Sequence, residues 1–121
     1  MKDYIKVTSK KDFGSISVTL NIKDEKVAGL GLKLKAINDQ ADMTGNNWEA
    51  LIGYYLDEHH PDVSAGMGSE ANAGKYTAYY KLTPQNEKKA EQLAAIIEDL
   101  IEDDSKLSET VKNNADEIDW D

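Results

Sequence analysis

An α+β fold, with an antiparallel sheet built from two hairpins and helices packed on one face, is predicted by three features of the sequence. Two segments near the N-terminus alternate apolar and polar residues, an aromatic-rich segment past the middle does the same, and apolar residues recur at helical spacing between and after them. With 121 residues, the chain has the length for one hydrophobic core, so a single domain over 1–121 is expected.

Residues 4–8 and 15–22 flank a polar turn over 10–14 and place Ile16, Val18, Leu20 and Ile22 on one face, which reads as the first hairpin. Over 26–37 two periods compete. Val27, Leu30, Leu34 and Ile37 keep helical spacing, which is favoured, yet Leu30, Leu32, Leu34 and Ala36 alternate as in a strand, and Gly29 and Gly31 weaken a helix. The next helix start is a capping box, with Asn46 as cap and Glu49 reaching back. Trp48, Leu51, Ile52, Tyr55 and Leu56 then form its buried stripe as far as about His59, where Pro61 stops it.

Residues 69–74 read as the turn of the second hairpin, leading into a strand over 74–82 with Tyr76, Ala78, Tyr80 and Leu82 on one face. Thr83 followed by Pro84 opens the longest helix, striped by Ala90, Leu93, Ala94, Ile97, Leu100 and Ile101. Ser105 is a candidate cap for a last short helix with Leu107 and Val111 inward. The tail over 116–121 spaces Ile118 and Trp120 as an edge strand or an anchored end would.

Charge restricts the partners. The chain has 23 acidic residues against 14 basic ones, all of them lysine, and a net charge of −9. Without arginine's bidentate fork, and with this net charge, nucleic acid and anionic membrane are poor partners. The imbalance is local: residues 1–83 hold 11 acids and 10 lysines, whereas 84–121 hold 12 acids and 4 lysines. Glu98, Asp99, Glu102, Asp103 and Asp104 crowd the C-terminal end of the long helix, where the macrodipole disfavours negative charge. They form either a solvated face or a field that steers a basic partner. No stretch has the length and apolarity of a membrane span or a signal peptide, and there is no cysteine; these features suit the cytoplasm.

Candidate chemistry is sparse. Residues 57–62 hold the metal-ligand types, but His59 and His60 are adjacent and point about 100° apart on a helix, and no third histidine completes a zinc set. Histidines at a helix end also complement its dipole. Gly66, Gly68 and Ala71 match the spacing of a dinucleotide fingerprint, yet a strand follows where that motif needs a helix. No serine lies in a nucleophile elbow. No catalytic residue, cofactor or metal is therefore assigned. Among the aromatics, Trp48, Tyr55, Tyr76 and Tyr80 fall on inward faces. Tyr54, Tyr79 and Trp120 lie off those faces and are candidates to anchor an interface, although covering the sheet edge is a competing role for Trp120.

The run Asn46-Asn47-Trp48-Glu49-Ala50-Leu51-Ile52-Gly53-Tyr54-Tyr55-Leu56-Asp57-Glu58-His59-His60-Pro61, the turn and aromatic strand over 70–80, and the closing residues 116–121 resemble a bacterial polymorphic-toxin immunity family, the one numbered fifty-one. The likeness runs from about Lys33 to the C-terminus. Where a turn of the form Asp-Pro-Glu-Ala-Gly would be expected, the sequence reads Ser69-Glu70-Ala71-Asn72-Ala73-Gly74. The resemblance implies an α+β protein of the bacterial cytoplasm that blocks a cognate toxin domain and has no chemistry of its own. A basic toxin such as a nuclease would suit the acidic composition. Two other classes compete: a small ligand- or metal-binding module resting on residues 57–62, and an acidic adaptor resting on the exposed aromatics.

Overall fold

The computed structural model describes residues 2–121. Strands β1 (Ile5–Lys10) and β2 (Ser15–Asn21) form the first hairpin, closed by a 3-10 turn at Lys11–Phe13. Gly14 sits there at φ 61°, a left-handed conformation in which a Cβ is strained, and donates its N–H to the Lys11 carbonyl. Strands β3 (Gly68–Ala71) and β4 (Lys75–Lys81) form the second hairpin. The hairpins join through their inner strands, giving the antiparallel order β1-β2-β4-β3 with Val18 opposite Ala78 and Ser17 opposite Tyr79. The second turn is shorter than expected: residues 69–71 are strand, and only 72–74 turn, held by the Asn72 side chain, which accepts from the Gly74 and Lys75 N–H groups.

The helices cover one face of the sheet. Ile5, Ile16, Val18, Leu20, Tyr76, Ala78 and Tyr80 point into them and are buried. Helix α1 (Glu25–Ile37) resolves the competing periods in favour of the helix. Asp24 caps it by accepting the Lys26 N–H at 2.9 Å; Val27, Leu30 and Leu34 are buried, while Leu32, which strand alternation would bury, is 73% exposed. Helix α2 (Gly45–His59) begins one residue before the expected cap. Thr44 accepts the Asn47 N–H at 3.3 Å and is the cap, so the Asn46–Glu49 capping box does not form. Glu49 instead accepts from the Ser69 hydroxyl at 2.7 Å and ties α2 to β3.

A single turn, α3 (Pro61–Ser64), follows Pro61 and buries Val63, whose carbonyl receives the Tyr80 hydroxyl at 2.7 Å. Helix α4 (Pro84–Glu102) starts at Thr83 as expected and buries its stripe from Ala90 to Ile101. Helix α5 (Ser105–Asn114) differs at its start. Ser105 is the first helical residue, and Asp103 accepts both its N–H and its hydroxyl.

Trp48 lies in the core at 1% exposure. The junction around it explains the asparagines of the motif. Asn47, itself 2% exposed, donates to the Asp42 carbonyl at 2.7 Å and accepts the Asp121 N–H at 2.7 Å, while Asn46 donates to the Asp121 carboxylate. The tail is thus an anchored end and not a strand. Gly45 lies against the Asn72 carbonyl so closely that a Cβ there would overlap it. The asparagine loop, the second hairpin turn and the tail therefore meet at one junction.

Candidate partner-binding surfaces

The acidic corner is built where α4 turns into α5. Glu102 accepts the Lys26 ammonium at 2.8 Å and the Tyr4 hydroxyl at 2.7 Å, with the Lys2 ammonium at 3.7 Å. The Lys26 and Tyr4 hydrogen bonds hold its carboxyl below the usual range; burial and then Glu102 push the Tyr4 hydroxyl up. Asp103 is likewise held low by Ser105. Asp104 pairs with Lys33 at 2.8 Å. The run that carries an apparent local cost in the sequence is thus partly accounted for by folding: three of its carboxylates fasten the corner to α1, to the segment leading into β1 and to α5. Glu98 and Asp99, half-exposed and exposed, have no ion pair among the described residues.

Beside this corner, α2 and α5 flank an open groove of about 560 Å³ that continues into a second hollow of about 300 Å³. Glu58 and Glu109 line it, with Lys106 as a counter-charge. Tyr54 forms part of its wall and donates to Glu117 at 2.9 Å; Asn114 donates to the same oxygen at 2.7 Å. The half-buried position of Tyr54 and then the Glu117 carboxylate push its hydroxyl up to about 12, while Asn114 and then Tyr54 hold Glu117 low. His59 and His60 stand at the groove end with ring centroids 4.5 and 6.0 Å from Tyr55. Among the described residues, no group of three or more His, Asp or Glu side chains is placed to hold a metal ion.

The remaining candidates separate. Tyr79 is 41% exposed on the uncovered sheet face, its ring lying over Gly68, where a Cβ would strike it. Trp120 is half-buried against the core and donates its Nε1–H to the Ala115 carbonyl at 3.0 Å, so it seals the end of the last helix, and its segment adds no strand to the sheet edge. Gly66, at φ 75°, turns the chain from α3 into β3, the reverse of the strand-to-helix order a dinucleotide fingerprint requires. The sequence reading missed Phe13, which is 82% exposed at the tip of the first hairpin; a lone phenylalanine in a polar turn was its available signal.

These features define an α+β protein with a one-sided antiparallel sheet, whose polar clusters tie elements together or open onto broad, shallow surfaces. The family model for immunity protein 51 matches residues 7–116, and the chain belongs to that family. The match begins within β1, well before Lys33, and stops short of the clamped tail. No curated protein and no solved structure matches the chain. No helix among the described residues is long and apolar enough to cross a membrane.

Proposed function

We propose that this chain folds as one domain over 1–121 and binds and neutralises a cognate toxin domain of a bacterial polymorphic toxin system, acting in the cytoplasm and without catalysis. The observation that carries this reading is membership of the immunity protein 51 family across residues 7–116. The toxin would dock on the helical side. Glu98 and Asp99 are carboxylates free to act at a distance, and the groove between α2 and α5 offers Glu109, with Glu58 in the adjoining hollow, to basic side chains. A basic toxin, for example a nuclease, fits this chemistry. Glu102, Asp103 and Asp104 would act by holding the corner in shape, and Trp120 by holding the tail.

The test uses the toxin domain encoded beside this gene. Purified chain should bind that domain in a defined stoichiometry, suppress its activity and restore growth of cells that express it. Replacing Glu58 and Glu109 with Gln should weaken the complex while leaving the fold intact. A neighbouring toxin domain that keeps full activity in the presence of excess folded chain would sink the proposal.

A further inference from the structure

A surface of opposite sign lies on the uncovered face of the sheet. Lys6 and Lys10 of β1 and Lys75 and Lys81 of β4 project from it, all exposed and none in an ion pair among the described residues. Glu70 is the one carboxylate in its strands on that face. The rest is hydroxyl-bearing, with Thr19 and Thr77 facing each other at 3.5 Å beneath a shallow hollow of about 360 Å³. The register places Tyr79 in the row Thr8-Ser17-Tyr79-Gly68. On one side of it runs the Lys10-Ser15-Lys81 row, and on the other the Lys6-Thr19-Thr77-Glu70 row and then Lys75 opposite Asn21.

Protection of a sheet edge accounts for Lys6 and Lys10, because β1 is an edge strand. It accounts less well for Lys75 and Lys81, since β4 is an inner strand with β2 along one side and β3, over 76–79, on the other. Solubility does not require them either, in a chain of net charge −9. Tyr79, pre-positioned over Gly68, and Phe13, 82% exposed at the turn beside the Lys10 row, add an aromatic component that folding leaves uncovered.

We propose that this open sheet face is a second docking surface, and that its occupant is an acidic segment of a partner protein. Carboxylates would meet Lys10 and Lys81 on one side of Tyr79 and Lys6 and Lys75 on the other, and an apolar side chain of the segment would cover Tyr79 or Phe13. Same-face positions lie about 7 Å apart along a strand. A short extended peptide therefore spans the whole patch. Nucleic acid is the weaker fit, because the patch has no arginine to grip phosphate bidentately. The proposal stands apart from toxin binding on the helical side, and its test needs no toxin.

The test is an NMR titration of the intact chain with a deca-glutamate peptide, and with the same peptide carrying two central tryptophans. Amide shifts should concentrate in β1, β2 and β4, the tryptophan peptide should bind more tightly, and 0.5 M salt should abolish most of the binding to deca-glutamate, since the Debye length there is about 4 Å. Combined Lys6→Gln, Lys10→Gln, Lys75→Gln and Lys81→Gln should weaken binding about ten-fold or more, and Tyr79→Ser with Phe13→Ser should erase the tryptophan gain. Absent shifts, shifts centred on the helices, or tighter binding of a ten-nucleotide oligothymidylate on the same face would each overturn the proposal. The shift map of the parent chain decides the question even if the four-fold variant does not fold.

Discussion

The acidic corner and the open sheet face contain the same two kinds of charge in opposite states. At the corner, carboxylates meet lysines brought in from far along the chain: Glu102 with Lys2 and Lys26, and Asp104 with Lys33. On the sheet, four lysines have no ion pair among the described residues. A count along the sequence assigns the strong field to residues 84–121 and near-neutrality to the rest. The fold neutralises part of that field in surface ion pairs and exposes a basic surface in the segment that looks neutral. Charge density along a chain and field on a surface are different quantities, because pairing depends on which elements pack together.

The largest expected effect lies beneath both regions. Trp48, 1% exposed, supports the sheet and the helices together, so Trp48→Ala should cost about 3–5 kcal/mol and abolish binding at both surfaces. A mutant that melts like its parent would mean the two regions do not share this support.

Two glycines separate a rigid contact from a movable one. Gly45→Ala drives a Cβ into the Asn72 backbone carbonyl and should destabilise by about 1–3 kcal/mol or more, seen in denaturant melts. Gly68→Ala meets only the far end of the Tyr79 ring, which can swing away. It should leave stability within about 0.5 kcal/mol of the parent, because the ring can move aside toward solvent, while moving the resonances of Tyr79.

Within the acidic run, function and folding should come apart. Glu98→Gln with Asp99→Asn should leave the melt unchanged and lower the toxin association rate about ten-fold at low salt, an effect that shrinks at 0.5 M. Glu102→Gln with Asp103→Asn should lower the melting temperature instead. The sign with pH follows from the direction of the shifts. Glu102, Asp103 and Glu117 are held below their unfolded values of 4.5, 3.8 and 4.5, so their stabilisation is complete above those values and is lost as pH falls through the lower folded ones. Thermal melts should be flat from about pH 7 to 5 and fall below about 4.5, less steeply in the Glu102→Gln variant. An association rate that drops only in the Glu102 and Asp103 pair would reverse the assignment.

The smallest expected effect is none. EDTA should leave the melting temperature unchanged, because apolar packing holds both regions and protein ion pairs fasten the corner. A large drop on chelation would give the His59 and His60 end of the groove a metal.

Local periodicity was enough to read the strands at β1, β2 and β4, the stripes of α2 and α4, and the burial of Trp48, Tyr55, Tyr76 and Tyr80. Each depends on which side of a strand or helix a residue occupies, and spacing within one element fixes that. The same logic favoured a helix for α1, although two glycines obscured it; Gly31 sits 3.1 Å from the Met43 side chain as measured to an added Cβ, which gives that glycine a packing reason. The tertiary structure decided how the hairpins join, which threonine caps α2, where Trp120 lies, and which charges are free. Apart from the local Thr44 cap, those outcomes hinge on residues brought together from far along the chain, as in Ser15 with Lys81, Asn47 with Asp121 and Lys26 with Glu102. No spacing rule reaches that far, because such contacts exist only after the core under them has formed.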